Sequence, residues 1–317
     1  MKKYLKNLRA AALLALLAPA LILTGCKDDD NDTPAQQSIA QVVNTNPDFT
    51  LLRAAVTKAG LGNALSSGSL TVFAPNNAAF QDAGLTEAAI NNLTQAQAAA
   101  VLQYHVVNTR TPASALPEAV NTAVTTLDNG TVYVTKAGSN VSVNGARVIQ
   151  ADVAASNGVI HVIDRVLMPP MGNIVQTAVA DNTNFSYLVA AVQRASQGST
   201  DVAAILSGPG PFTVFAPVNQ AFIAAGFPTI ESIQAADPAT LATILTYHVV
   251  PGRVFSTNLV NGNVTTAQGG NVSVSLGTGV QVTGLGNNGS AANVVVPNVV
   301  ATNGVIHAVD RVLLPAS

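Results

Sequence analysis

Ionisable and aromatic side chains are scarce in this sequence. Only 9% of its 317 residues are charged, 4% are aromatic, and there is no tryptophan. An average globular chain is charged at roughly a quarter of its positions. So few rings leave little for stacking on bases or sugars. The 14 basic residues are balanced by 16 acidic ones, which excludes a polybasic nucleic-acid surface. Glutamate occurs only at 87, 118 and 231, and histidine only at 105, 161, 248 and 307. The single cysteine, Cys26, excludes an intramolecular disulfide. Apolar residues are plentiful, at 48%, which excludes a mostly disordered chain. The length suits roughly two domains.

Four of the basic residues, Lys2, Lys3, Lys6 and Arg9, precede an apolar stretch from Ala10 to Leu23 that is interrupted by Pro19. That stretch is short for a membrane span, which needs about 20 residues. A positive start, a short apolar run and small residues form the layout of a secretory signal. The ending Leu23-Thr24-Gly25-Cys26 resembles the lipobox of bacterial lipoproteins, in which the cysteine is acylated and becomes the new amino terminus. On that reading residues 1–25 are a signal peptide, Cys26 is the lipidation site and the membrane is a partner through its lipid. Residues 26–37 then form a tether whose acidic run, Lys27 to Asp32, is too polar to pack. The run also resembles the signal that sends some lipoproteins to the outer cell surface; a plain solvated spacer is the alternative. Without residues 1–26 the chain keeps 10 basic and 16 acidic groups, a net of −6.

The remainder is one pattern written twice. Thr71-Val-Phe-Ala-Pro75-Asn-Asn77-Ala-Ala-Phe80 returns as Thr213-Val-Phe-Ala-Pro217-Val-Asn219-Gln-Ala-Phe222. Tyr104-His105 returns as Tyr247-His248. Asn157-Gly-Val-Ile-His161-Val-Ile-Asp164-Arg-Val-Leu-Met-Pro169 returns as Asn303-Gly-Val-Ile-His307-Ala-Val-Asp310-Arg-Val-Leu-Leu-Pro315. The offsets of 142, 143 and 146 indicate a duplicated domain, since solenoid units run about 20–50 residues. The boundary falls near Pro169-Pro170, giving domains at 38–170 and 171–317.

Within one copy, apolar residues at helical spacing predict a helix over Asp48 to Ala59. Ser69 to Ala74 is β-rich and stops at Pro75. Asn76 or Asn77 can cap the short helix that follows; Val218 cannot, so Asn77 and Asn219 are the shared candidates. Thr94-Gln-Ala-Gln97 has the form of a capping box, and Asp237-Pro238 is an equally good helix start. Alternating residues around Asp128-Asn-Gly130 predict a hairpin, and Asn144-Gly145 a second. The apolar run Val159 to Leu167 suits a strand buried on both faces. Helices early and antiparallel strands late make the class α+β.

These three ordered motifs, present in both copies, resemble the fasciclin (FAS1) domain over residues 38–169 and 172–316. The resemblance implies two tandem domains, each a β-sandwich-like wedge with helices packed on one side. It also implies extracellular adhesion or matrix binding without catalysis. One departure is that the family's acidic residue after the shared asparagine is Ala78 here and Gln220 in the second copy. In animal members the Tyr-His region is linked to integrin contact, so Tyr104, His105, Tyr247 and His248 become adhesion candidates, with core packing as the alternative.

The other motif residues read as structural. His161 and Asp164, like His307 and Asp310, sit three apart on a strand and leave on opposite faces, so neither pair forms a chelate or a relay. A buried imidazole donating a structural hydrogen bond is the expected role. No metal or other cofactor is expected. No Gly-x-Ser-x-Gly elbow, phosphate loop or His-Glu-x-x-His motif occurs, so no catalytic residue is assigned. The expected function is a lipid-anchored adhesion or matrix-binding protein of the bacterial envelope, surface-exposed on the outer membrane. Its partner would be a surface polymer, a matrix protein or a neighbouring cell, engaged by two modules with gain of avidity. The alternatives are a structural envelope or biofilm-matrix protein that self-associates, and a periplasmic small-ligand carrier or enzyme.

Overall fold

Local sequence chemistry sets the helices of the first half. Ser38 and Gln41 box the start of α1 (Ile39–Thr45), and Gly60, left-handed at φ 71°, ends α2 (Thr50–Ala59). A single 3-10 turn over Pro47–Phe49 precedes α2, so the helix begins two residues later than its apolar spacing predicts. Asn76 caps α3 (Asn77–Asp82), Thr86 caps α4 (Glu87–Asn92), and Thr94 with Gln97 boxes α5 (Gln95–Gln103) as expected. The structure is a computed structural model and describes residues 36–316. The signal-like segment, Cys26 and the acidic run lie outside the described residues.

The strands of this half are β1 (Leu70–Pro75), β2 (Val106–Val107), β3 (Thr122–Thr125), β4 (Thr131–Ala137), β5 (Asn140–Val143), β6 (Ala146–Ala155) and β7 (Gly158–Ile163). They form one sheet in the order β2-β1-β7-β6-β5-β4-β3. Both predicted hairpins form: β3 pairs β4, and β5 meets β6 across Asn144 and Gly145, at φ 49° and 76°. Positive φ at both turn residues is what an Asn-Gly pair supplies. Register shifts along β6, at Val148/Gln150 and Gln150/Val153, bend the sheet into a nearly closed wedge. One pairing departs from the antiparallel expectation. β1, from the helical half, runs parallel to β7, from Leu70↔Gly158 to Pro75↔Ile163.

Every residue of β1 and β7 is buried because the sheet is covered on both faces. Leu70, Val72, Ala74, Ile160 and Val162 face the helices, against Leu52, Val56 and Leu102. Phe73 and Ile163 face the hairpins, against Tyr104, Val132, Val134 and Val143. The closing strand ends at Ile163, short of the predicted Leu167. Beyond it the Leu167 N–H donates to a histidine ring rather than to a neighbouring strand.

The second half repeats the plan. Its helices are α6 (Ile174–Ala180), α7 (Asn182–Ala195), α8 (Val202–Ser207), α9 (Asn219–Ala224), α10 (Ile230–Gln234) and α11 (Pro238–Tyr247). Asp237 caps α11 ahead of Pro238, as its sequence predicts. The strands are β8 (Phe212–Pro217), β9 (Val249–Pro251), β10 (Gly262–Thr265), β11 (Asn271–Leu276), β12 (Val280–Gly284), β13 (Ala292–Ala301) and β14 (Gly304–Val309). Their order, β10-β11-β12-β13-β14-β8-β9, mirrors the first sheet, and β8 again runs parallel to β14. Both halves belong to one compact unit. Among the described residues no helix is long and apolar enough to cross a membrane.

Candidate functional site

The Tyr-His pair sits where α5 ends and β2 begins, and the matching pair where α11 meets β9. All four side chains are buried, Tyr104 and Tyr247 completely and the two histidines to within 2%. Tyr104 Oη donates to the Thr131 carbonyl at 2.8 Å and accepts from Asn144 Nδ2 at 3.0 Å. Tyr247 Oη donates to the Asn271 carbonyl at 2.5 Å and accepts the Leu285 N–H at 3.0 Å. Burial pushes the Tyr104 phenol up to about 12.

The neighbouring imidazoles are equally engaged. Leu167 N–H donates to His105 Nε2 at 2.9 Å, so that nitrogen is the acceptor; Nδ1 carries the proton and donates to the Val101 carbonyl at 2.7 Å. His248 repeats this with Leu313 N–H at 2.8 Å and the Ile244 carbonyl at 2.8 Å. Desolvation lowers both rings from 6.5 to about 4, against the raising effect of the carbonyl bond. The geometry corrects the adhesion expectation for Tyr104, His105, Tyr247 and His248. Their rings fill the core and their polar atoms are already paired, so none presents a contact to a partner.

His161 and His307 hold the loop after β2 or β9 against the closing strand. His161 Nε2 donates to the Thr111 carbonyl at 3.0 Å, and Nδ1 accepts the Asp152 N–H at 3.3 Å. His307 Nε2 donates to the Val254 carbonyl at 2.9 Å, and Nδ1 accepts the Asn298 N–H at 3.2 Å. Burial lowers the His307 ring to about 4. Each lies beside a phenylalanine, His161 tilted against Phe73 at 5.8 Å and His307 stacked on Phe215 at 5.6 Å between centroids. Asp164 Oδ1 accepts the Arg147 N–H at 2.7 Å, and Asp310 takes both the N–H and the side-chain amide of Asn293 at 2.7 Å. Neither aspartate meets its histidine. Among the described residues no three His, Cys, Asp or Glu converge as metal ligands do.

Asn77 and Asn219 do not cap their own helices. Asn76 does so in the first copy, and Val218 offers no side-chain bond in the second. Asn77 instead accepts the Leu51 N–H at 3.0 Å and donates to the Pro47 carbonyl at 2.9 Å. Those groups lie four residues apart and would bond each other in an unbroken helix. Asn219 does the same between Tyr187 N–H at 3.0 Å and the Thr183 carbonyl at 2.9 Å. The amide is spliced into a neighbouring helix start, which its distance along the chain concealed. Asn157 and Asn303 are a second pair of amide staples, to Ile39 N–H and Ile174 N–H, each at 2.9 Å. A Cβ at the following Gly158 would collide with the Leu70 carbonyl, so the Asn-Gly step allows β1 and β7 to approach.

The groups that sequence reasoning missed lie where the two domains meet. The segment 253–258 of the second domain docks on β3, β4 and β5 of the first. Arg253 stacks over the Tyr133 ring at 4.2 Å, and its guanidinium donates to the carbonyls of Ala301, Thr302 and Gly304. Its own carbonyl accepts from Asn121 Nδ2 at 2.6 Å. Phe255, buried, packs on Tyr133 at 6.2 Å. Asn258 Nδ2 reaches Asn121 Oδ1 at 3.1 Å and Thr135 Oγ1 at 3.2 Å, while Ser142 meets Thr257 at 3.2 Å. One signal was available: the copies differ here, with Pro112 and Ala115 standing where Phe255 and Asn258 do, and Ser273 where Tyr133 does.

The family model described as "Fasciclin domain" matches this chain twice, at residues 47–169 and 183–315. The chain is 31% identical over 255 residues to "Transforming growth factor-beta-induced protein ig-h3" of Sus scrofa, covering 79% of this chain and 35% of that protein. It thus spans about a third of that relative's length. It is 42% identical over 144 residues to "Protein sll1483" of Synechocystis sp., covering 45% of this chain and 73% of that one. Among solved structures it is similar to a FAS1 domain pair from the insect cell adhesion molecule Fasciclin I. That match has 23% identity and a TM-score of 0.41, covering 83% of this chain and 95% of the other.

Proposed function

Because the chain belongs to the fasciclin domain family, we propose that it is a non-catalytic adhesion protein, held to the bacterial envelope by lipid on Cys26 and displayed outside the outer membrane. Its partner is a matrix polymer, a surface or a neighbouring cell. The observation that carries this reading is the docking of two family domains into one body, with their shared histidines and tyrosines engaged internally. Reactive groups committed to the core leave recognition to the outer surface. The seam also fixes the spacing of the two modules. A fixed spacing suits a repeating partner, because the second contact forms at high effective concentration only when the span matches.

Protease treatment of intact cells tests the display, and attachment of cells with and without the protein tests the adhesion. Loss of the full chain on shaving, together with weaker attachment in its absence, is the expected result. Survival of the protein would move it inside the outer membrane. Unchanged attachment would remove the adhesion reading.

A further inference from the structure

The seam between the domains floors an open cleft of about 950 Å³, within the roughly 300–1,000 Å³ over which pockets hold ligands. One wall carries Asn140, Arg147, Ile149 and Arg165; the other carries Leu276 and Thr278, at the β11–β12 turn. Arg147 and Arg165 are exposed, and neither guanidinium bonds a protein acceptor among the described residues. One acid, Asp164, shares the wall, but it is tied to the Arg147 main-chain N–H at 2.7 Å. The cleft therefore offers two free cations in a chain whose net charge is −2.

The duplication sharpens the point. In the second domain the residue matching Arg147 is Asn293, whose side chain helps hold Asp310 at 2.7 Å. In the first domain the main chain alone holds the aspartate, so the Arg147 side chain is released toward the cleft. A guanidinium fork matches carboxylate geometry.

We infer that this cleft binds a linear acidic polysaccharide, its carboxylates taken by Arg147 and Arg165 and its hydroxyls by the polar walls. The inference rests on the matrix-binding reading above and names its ligand class. A peptide strand cannot add here by main-chain pairing, because β5 and β6 are interior to their sheet and paired on both sides. No aromatic ring lines the cleft, which disfavours single-stranded nucleic acid and leaves charge as the main attraction.

The test is fluorescence anisotropy of labelled polygalacturonate titrated with the full chain, with dextran sulfate, uncharged dextran and polyglutamate as further probes. Polygalacturonate should bind, and its affinity should fall by about tenfold or more between about 0.05 M and about 0.5 M salt. Uncharged dextran should not bind. The double variant Arg147→Ala with Arg165→Ala should lose about tenfold or more, with an unchanged unfolding midpoint. Arg110→Ala, at an exposed arginine outside the cleft, should bind as the parent does. Equal binding by the double variant would overturn the site. Failure of both acidic polysaccharides, while cells bearing the protein still attach, would overturn the ligand class and leave adhesion standing. Tighter binding of polyglutamate with the same arginine dependence would assign the cleft to acidic polypeptides instead. Unchanged attachment of cells lacking the protein, with polygalacturonate binding intact, would strike the adhesion reading and support the site.

Discussion

Mild acid should destabilise this protein through its buried imidazoles. His105, His248 and His307 are each lowered by desolvation from 6.5 to about 4. The unfolded chain therefore binds protons that the folded chain refuses, so stability is full above about pH 6.5 and is lost as pH falls toward about 4. At about pH 5 linkage gives a loss of about 2 kcal/mol per ring, about 6 kcal/mol for the three. That is comparable to the whole stability of a typical domain, about 5–15 kcal/mol. With a urea dependence of about 3 kcal/mol per molar, the unfolding midpoint should drop by about 2 M between about pH 7.5 and about pH 5. Glu118, Glu231 and Asp237 are also lowered, chiefly by backbone hydrogen bonds. Their loss acts below the ordinary carboxylate range, so the higher window belongs to the histidines. His248→Gln replaces one titrating ring with an amide able to offer one donor and one acceptor, and should flatten the pH slope by about a third. A urea midpoint that holds steady across this window would refute the reasoning.

Other perturbations separate core from surface. Tyr104→Phe strands the Thr131 carbonyl and the Asn144 amide and should cost about 1–3 kcal/mol; calorimetry should show the lower melting temperature while attachment per folded molecule is unchanged. Asn219→Ala leaves the Tyr187 N–H and the Thr183 carbonyl without their bridge, with a similar loss of about 1–3 kcal/mol in denaturant titration. Arg253→Ala removes the donors to three carbonyls and the cation over Tyr133; one calorimetric transition should split into two, and an unsplit transition would show that coupling across the seam does not depend on this side chain. Gly145→Ala places a Cβ against the Asn298 amide at a φ of 76° and should loosen the same seam, read as faster hydrogen exchange at Ser256 and Asn258.

The parts of the fold legible in sequence are those set within a few residues. Thr94 and Gln97 announce a helix start, and the structure closes both bonds of that capping box. Asn144-Gly145 announces a turn because both residues tolerate positive φ. The parallel pairing of β1 with β7 joins segments far apart in the chain, and two apolar runs do not state whether they lie side by side. Asn77 shows the limit at a single residue. Its position before a helix suggests a cap, yet its amide reaches the start of α2, with partners 26 and 30 residues earlier. The Tyr-His pair shows another. Helical spacing locates it at the end of α5, but the polar tips conceal that their partners are internal. The seam was the least legible, because its bonds span more than a hundred residues and no periodicity marks them.

Comparison of the two copies nevertheless points to where function resides. Positions the copies share, such as Tyr104 and Tyr247, His105 and His248, or Asn77 and Asn219, make matching internal bonds in both domains, and the tyrosines and histidines are buried. Positions where they differ include Tyr133 against Ser273, Phe255 against Pro112 and Arg147 against Asn293. Those lie on the seam and on the cleft above it. A motif repeated because it holds the fold together identifies the family and is silent about the ligand. A partner can touch only what is exposed, and a pair of docked modules presents one composite surface that neither copy has alone. The specificity of this protein therefore turns on residues that the duplication did not preserve, Arg147 above all, set beside Arg165, which the second copy repeats as Arg311. Exchanging Arg147 for its counterpart, Arg147→Asn, is the sharpest single change: it leaves the Asp164 bond to the main chain in place and alters only the cleft. It should leave the unfolding free energy within about 0.5 kcal/mol of the parent while weakening polygalacturonate binding several-fold, about half the double variant's effect on a logarithmic scale.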